Sequence, residues 1–157
     1  MSLKKQKGFT LIELLVVIVI LIALSVIIFV ALNPLKRTRD ARDRRRALDI
    51  ENILTAVHQD IIDSKGHLPN GLSTSMPETQ IGTSTGSCEI SSGGCAATPS
   101  ACVNLSTSLE EYLKSIPEDP NYGSANRTGY TIEVNKYNIV TVRACYVENL
   151  TSLSQSR

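Results

Sequence analysis

The chain has 157 residues, a formal net charge of +1, 4% aromatic residues and no tryptophan. A balanced charge gives no general attraction to nucleic acid, and few aromatic side chains are present to stack on single-stranded bases, so we expect no specific nucleic-acid partner. The sequence also contains no nucleophile elbow, HExxH motif or phosphate-binding loop. We therefore predict that the protein is not an enzyme.

The most distinctive stretch of the chain is apolar and follows a short basic segment. Residues 14–32 carry no charged side chain and have no polar face, which predicts a helix in a membrane or in an apolar bundle. Such a helix is about 28 Å long, close to the ~30 Å hydrocarbon core of a bilayer. No cleavage motif of the usual secretory type follows it. Glu13 lies at its start, where an acidic side chain is costly without a partner, so Glu13 is a candidate functional residue.

The residues around Glu13 form a motif. The segment KKQKGFTLIE, residues 4–13, resembles the class III signal of bacterial type IV pilins and type II secretion pseudopilins. The resemblance implies that a membrane-embedded prepilin peptidase cuts after Gly8 and that the new terminus, Phe9, is N-methylated. It also implies that Glu13 pairs with the N-terminal amine of a neighbouring subunit.

The same resemblance implies an α+β fold of the type IV pilin kind. In that fold one long N-terminal α-helix, whose hydrophobic half protrudes, packs on a small antiparallel β-sheet with a disulfide-stapled loop. We divide the chain into a leader (1–8), a transmembrane or filament-core helix (9–33) and an exported region (34–157). The exported region comprises the amphipathic half of the helix (34–64) and a small globular α/β head (65–157).

Pro34 interrupts the predicted helix. It has no N–H to donate to the carbonyl of Val30, and it disfavours helical geometry at Asn33, so a kink or local melting is expected there. The resemblance gives Pro34 a role in assembly, because pilin helices are often loosened near an early proline when they are packed in the filament.

A basic segment follows the proline. Residues 36–46 contain seven lysines and arginines and only two acidic residues, Asp40 and Asp43. We interpret the segment as a solvated collar with local ion pairs, Asp40 with Arg44 and Asp43 with Arg46. Attraction to anionic lipid head groups and salt bridges between stacked subunits are alternatives. DNA binding is least favoured, because packing in a filament would hide much of the segment.

The second half of the helix carries an apolar stripe that should dock on the sheet, and the helix should stop at Lys65-Gly66. The stripe has spacings of 3, 4, 3 and 4, and it consists of Ala47, Ile50, Leu54, Val57 and Ile61. Three further residues are expected to widen it, namely Leu48, Ile53 and Ile62.

The four cysteines lie in the part predicted to be exported, where an oxidising environment favours two disulfides. Three of them are in the Ser-, Thr- and Gly-rich stretch 68–108, and the fourth is on a later predicted strand. Of three possible connectivities we favour Cys88–Cys95 as a local clip and Cys102–Cys145 as a tie to the sheet. A zinc site is the alternative, but no close C-x2–4-C pair is present, so no metal site is expected.

A short second helix is predicted over residues 109–116, because Thr107 with Glu110 and Ser108 with Glu111 form alternative capping boxes. The element Ile116-Pro117-Glu118-Asp119-Pro120 resembles the I-P-x-D-P element of major pseudopilins and related pilins, some of which bind calcium nearby. Glu118, Asp119 and Asn121 offer oxygen ligands, but regular acidic spacing is missing. We prefer a plain turn and expect no cofactor.

Two β-strands are predicted near the C-terminus, over residues 128–134 and 137–147, with Asn135-Lys136 as a two-residue hairpin turn. Tyr130, Ile132 and Val134 share one face. A third strand is expected from within 68–105, because a two-stranded ribbon alone is marginal. The tail after Glu148 is expected to fray.

The sequence thus favours a structural subunit of a type IV pilus, a homopolymer built through its apolar helix. Alternatives are a pseudopilin of a type II secretion system and a minor pilin for adhesion or DNA uptake. Expected partners are the prepilin peptidase and methyltransferase, the inner-membrane assembly machinery and, before assembly, membrane lipid. The chain would cross the inner membrane once before assembly and then lie in an extracellular pilus or a periplasmic pseudopilus.

Overall fold

A computed structural model describes residues 8–157, apart from the side chains of residues 29, 31 and 32. The elements are helices α1 (Leu11–Leu32) and α2 (Pro34–Asp63) and strands β1 (Thr79–Gln80), β2 (Tyr130–Val134), β3 (Val140–Ala144) and β4 (Leu153–Ser156). They fall into two compact units, one ending at Thr38 and the other Arg39–Arg157, here called the head. The α+β architecture is confirmed. The expected basic leader, with Lys4, Lys5 and Lys7, lies outside the described residues.

Helix α1 begins at a capping box. The Thr10 hydroxyl accepts the Glu13 N–H at 3.3 Å, and the Glu13 carboxylate accepts the Thr10 N–H at 2.8 Å. The span Leu11–Ile28 has a mean hydropathy of 3.3, and within residues 8–157 it is the one helix long and apolar enough to cross a membrane. Each large apolar residue described along α1 is at least 49% exposed.

The helix is interrupted where Pro34 predicts it. Asn33 has a φ of 37°, in the left-handed region, and ends α1. Its side-chain oxygen accepts the Lys36 N–H and its carbonyl accepts the Arg37 N–H, both at 3.3 Å, so it also caps the start of α2. Pro34 occupies the first position of α2, where its missing N–H costs nothing. The expected interruption is confirmed as a break of one residue.

The core of the head lies between α2 and the sheet. Ile50, Ile53, Leu54 and Val57 are buried, which confirms most of the predicted stripe. The structure corrects two members, because Leu48 and Ile62 are 60% and 74% exposed. Since the sheet covers only one side of α2, residues on the flank of the stripe remain outside the contact.

The sheet is antiparallel throughout, with strand order β1-β2-β3-β4. Its inward residues come from the two central strands. Burial of Tyr130, Ile132 and Val134 confirms the predicted face of β2, and β3 contributes Val140, Val142 and Ala144. The third strand expected from residues 68–105 is β1, which pairs with β2.

The hairpin turn between β2 and β3 differs from the prediction. Val134 pairs with Val140, so five residues form the loop instead of two. The Asn135 side chain accepts the N–H groups of Tyr137 and Ile139 at 2.8 and 3.0 Å, and Asn138, at a φ of 61°, takes the left-handed position. This side-chain cap stabilises a wider turn than the sequence suggests.

Two further predictions were wrong. The tail does not fray, because it forms β4 and pairs with β3. Beyond β4, Val140 and Arg157 exchange two backbone hydrogen bonds of 3.0 Å. Residues 109–116 form isolated turns, with Leu113 N–H bonded to the Leu109 carbonyl at 2.8 Å, and no α-helix. Residues 109–116 are followed by Pro117, and eight residues are too few for helix propagation to offset the cost of nucleation.

The disulfides are Cys88–Cys102 and Cys95–Cys145, so two bonds form but the favoured pairing was wrong. Backbone hydrogen bonds supply the local clip: Ile90 and Ala97 bond reciprocally at 3.0 Å and close the turn between them. Cys95 lies inside that turn and reaches the residue after β3 instead of Cys88.

A glycine allows this approach to the sheet. A Cβ on Gly93, which has a φ of 55°, would lie 2.4 Å from the carbonyl oxygen of Cys145. Ser92 donates to the same oxygen at 2.8 Å. The turn can therefore touch the end of β3 only with a glycine at this position.

The two disulfides should contribute unequally to stability. Their cysteines are 14 and 50 positions apart in the sequence, and a longer closed loop restricts the unfolded chain more. Serine at both Cys95 and Cys145 should lower the free energy of unfolding by about 4 kcal/mol, against about 3 kcal/mol for serine at both Cys88 and Cys102. Urea unfolding of the mature protein in detergent measures both, and a larger loss from the shorter loop would contradict the loop-length account.

Candidate functional site

The sequence-predicted processing residues lie just before α1. Gly8 and Phe9 are exposed and precede the first helical turn, and the Phe9 side chain is 92% exposed. Thr10, the next residue, has an extended backbone with φ −82° and ψ 150°. The Gly8–Phe9 peptide bond is therefore outside regular secondary structure, where a peptidase can bind it in an extended form.

Glu13 lies in the first turn of α1, close in the chain to Phe9. One carboxylate oxygen, Oε2, accepts the Thr10 N–H at 2.8 Å and the Thr10 hydroxyl at 2.6 Å. Within residues 8–157 the other oxygen, Oε1, accepts no hydrogen bond, and Glu13 forms no ion pair. Thr10 thus holds the carboxylate at the helix N-terminus with one oxygen available to a cation.

The other predicted site residues are elsewhere. Pro34 follows the far end of α1, whose 22 residues span about 33 Å. The four cysteines are in the head. Gly8, Phe9 and Glu13 therefore lie at one end of α1 and Pro34 at the other, while the four cysteines belong to the second unit.

A family model described as the prokaryotic N-terminal methylation motif matches residues 3–29. The chain carries the class III signal of type IV pilins and pseudopilins. No curated protein and no solved structure matches it. The motif supports a type IV pilin-like or pseudopilin protein, and the long N-terminal helix, the small antiparallel sheet and the two disulfides are consistent with an α+β pilin fold. A signal of this type is processed by a prepilin peptidase and leads to assembly into filaments, and the apolar helix suggests membrane anchoring beforehand.

The head of this pilin-like chain contains an ionic cluster of which the sequence predicted only the Asp43–Arg46 pair. Arg46 has no exposed surface, and its guanidinium donates to Asp119 at 2.6 and 3.2 Å, to Asp43 at 2.8 Å and to Glu148 at 3.2 Å. Arg42 donates to both carboxylate oxygens of Glu148. These five residues, here called the Arg46 cluster, join α2, the turn at 119 and the segment before β4.

The cluster also fixes the backbone that leads into β4. Asp43 accepts the N–H groups of Glu148 and Asn149 at 3.1 and 2.9 Å, and Asp40 accepts the Asn149 side-chain amide at 2.6 Å. A carboxylate that accepts backbone N–H groups forms strong charge-assisted bonds. This explains why the tail pairs as a strand.

The basic segment is therefore only partly a solvated collar. The predicted Asp43–Arg46 pair exists but is buried. The predicted Asp40–Arg44 pair does not form, and the Arg44 side chain makes no hydrogen bond or ion pair within residues 8–157. One signal could have revealed the burial: counting back from Ile50 at helical spacing reaches Arg46 and Asp43, so the buried stripe extends into the basic segment.

Asp119, in the element that resembles I-P-x-D-P, accepts hydrogen bonds from Arg46 and from the backbone of its own turn. Its Oδ1 accepts the N–H groups of Asn121 and Tyr122 at 2.9 and 3.0 Å. A Cβ on Gly123 would lie 2.2 Å from the Asp119 nitrogen, so the turn needs a glycine there. Among residues 8–157 no group of three or more His, Cys, Asp or Glu residues is placed to hold a metal ion.

The Arg46 cluster should make the stability of the head sensitive to acid. Hydrogen bonds from Arg42 and then Arg46 lower the pKa of Glu148 from 4.5 to about 2, against the opposing effect of its partial burial. The Glu148 carboxylate binds a proton more readily in the unfolded chain than in the folded one. Its contribution to the free energy of unfolding is therefore fully present above about pH 4.5 and is lost as the pH falls towards 2. Thermal unfolding of the mature protein between these pH values should show the fall. Glu148→Gln should flatten it, and an unchanged slope would contradict this role.

Proposed function

We propose that the chain is a structural subunit of a type IV pilus, cleaved after Gly8, methylated at Phe9 and polymerised through α1. The observation that carries the proposal is the exposure of α1 along its whole described length. Outside a bilayer such a helix avoids water only inside a bundle of apolar helices. Sister copies of the same helix supply that bundle.

The energetics favour a fibre that assembles from the membrane. Moving α1 from lipid into a bundle changes its hydrophobic free energy little, because lipid tails are as apolar as leucine. Leaving the bundle for water is different, since each fully exposed Leu, Ile or Val side chain costs about 1.5–3 kcal/mol. A filament held in this way needs no covalent links between subunits.

Glu13 has the role of setting the position of one helix against the next. Cleavage leaves a positive amine on Phe9, and that charge needs a partner in an apolar environment. The free Oε1 of Glu13 is available to accept it from a neighbouring subunit. A buried ion pair adds little net stability, but it favours one axial register over others.

Processing and location follow from the same proposal. A prepilin peptidase and methyltransferase acts on the precursor, which crosses the inner membrane once in contact with lipid. The inner-membrane assembly machinery then transfers the subunit to an extracellular pilus. The break at Asn33-Pro34 is the place where the helix loosens in the filament, because it has already lost its continuous hydrogen bonding there.

A pseudopilin of a type II secretion system is the second candidate. The element 116–120 favours it, because it resembles the element of major pseudopilins. A pseudopilus would lie in the periplasm, whereas a pilus extends from the cell surface. The two functions therefore differ in where the filament is found.

Electron microscopy of negatively stained cells tests the proposal. Antibody against residues 68–157 should label surface filaments along their length, and cells without the gene should show none. Labelling at filament tips alone would indicate a minor pilin. Filaments confined to the periplasm would indicate a pseudopilin and contradict the pilus assignment.

A further inference from the structure

The outer side of α2 carries a row of exposed side chains within the head. The row consists of Arg44, Leu48, Asn52, Gln59 and Ile62, all exposed and spaced by four, four, seven and three residues. Residues at these spacings lie on one side of a helix, so they form one continuous surface, here called the outer stripe. Two of its members, Leu48 and Ile62, are apolar and face solvent.

An acidic groove of about 560 Å³ lies at the C-terminal end of the same helix. Asp60 and Asp63 line it from α2, and Glu110 and Glu111 line it from the turns that follow; its lining includes no lysine or arginine. Tyr112 donates its hydroxyl to Asp63 at 2.6 Å. Within residues 8–157 the carboxylates of Asp60, Glu110 and Glu111 form no ion pair, so the groove keeps an uncompensated negative charge.

The N-terminal end of the outer stripe carries positive charge, opposite to the negative charge of the acidic groove. Arg44 has no ion-pair partner within the described residues, and Arg45 makes only a 3.9 Å contact with Asp49 while its side chain stays 66% exposed. Asp60 follows Arg44 by 16 residues, which places them about 24 Å apart along α2. The two charged regions cannot meet in one copy, because a helix holds them at that distance. They can meet between two copies that are shifted along the helix direction.

We propose that the outer stripe of α2 docks against a second copy of the chain, with Arg44 and Arg45 of one copy in the acidic groove of the next. The inference rests on the proposed polymerisation and adds a contact between heads to the proposed pairing of Glu13 in α1. Burial of Leu48 and Ile62 supplies apolar contact at the same surface. Complementary charges fix the axial shift between copies.

Charge reversal in the full-length chain tests the contact in cells that assemble the wild-type protein. The variant Arg44→Glu with Arg45→Glu should reduce the yield of sheared filaments at least about tenfold, because juxtaposed like charges cost more than the 1.4 kcal/mol that corresponds to this factor. Glu110→Lys with Glu111→Lys should do the same. A chain carrying all four substitutions should recover most of the yield, because opposite charges then meet again.

The matched control is Glu89→Lys with Lys136→Glu, which reverses two exposed charges outside both surfaces and should leave the yield unchanged. Disulfide formation and the thermal midpoint of each variant report that the head is folded. Wild-type yield from both reversed variants overturns the proposal. The proposal is also overturned if the arginine variant loses filament yield and the chain with all four substitutions does not recover it. That result would favour an anionic lipid surface as the partner of the arginines. Absence of filaments from the wild-type chain overturns the proposed function and this contact with it.

Discussion

Replacement of Glu13 by alanine will abolish filament assembly, while the precursor is still inserted and cleaved. The cleavage site precedes α1 and does not need the carboxylate, but the amine of Phe9 would be left unpaired among apolar helices. Removing one partner of a buried ion pair costs about 3–5 kcal/mol. At about 1.4 kcal/mol per factor of ten, each added subunit would bind more than a hundredfold less tightly. Immunoblots of membranes and of sheared filaments measure cleavage and assembly separately.

The control for this prediction is Ser25→Ala, which removes the other polar side chain of α1. The Ser25 hydroxyl donates to the Leu21 carbonyl of its own helix at 2.7 Å, so it needs no partner from another subunit. This variant should assemble at the wild-type level. Glu13→Gln should fail like alanine, since an amide keeps the shape of the side chain but not its charge. Normal filament yield from either Glu13 variant would exclude the pairing.

Replacement of Arg46 by alanine will destabilise the head by about 3–5 kcal/mol. The guanidinium is fully buried among three carboxylates, and its loss leaves Asp43 and Asp119 buried without their cation. The side chain also fills core volume, which alanine does not. Urea unfolding of the mature protein in detergent measures the loss.

Two variants separate the charge cluster from a general effect of removing an arginine. Arg44→Ala, two residues away on the exposed side, should change the free energy of unfolding by less than about 0.5 kcal/mol. Arg46→Lys should lie between alanine and the wild type, because an ammonium keeps the charge but cannot reproduce the bidentate contact with Asp119. Equal losses from the alanine variants at 44 and 46 would contradict the burial of the cluster.

The parts of the fold that the sequence predicted are those determined by neighbouring residues. The apolar run predicts α1, Pro34 predicts the break, and alternation predicts the inward face of β2. Each depends on a periodicity or on one residue's backbone chemistry, which local sequence contains. The processing residues Gly8 and Phe9 were predicted in the same way, from a motif of ten adjacent residues.

The parts that were missed depend on contacts between distant segments. In the sequence Arg46 is one of seven basic residues in its segment. Its burial depends on contacts with Asp119 and Glu148, which lie 73 and 102 residues further along the chain. The same contacts order the segment before β4, which reads as a polar tail. The cysteine pairing was missed because backbone bonds between Ile90 and Ala97, not a disulfide, close the turn.

N-terminal sequencing and intact mass of the protein recovered from sheared surface filaments test assembly through α1 directly. We expect a chain that starts at methylated Phe9, with a mass four hydrogens below that of the reduced form because of its two disulfides. A processed chain that is absent from the sheared fraction and stays in the bilayer as single copies would contradict assembly through α1.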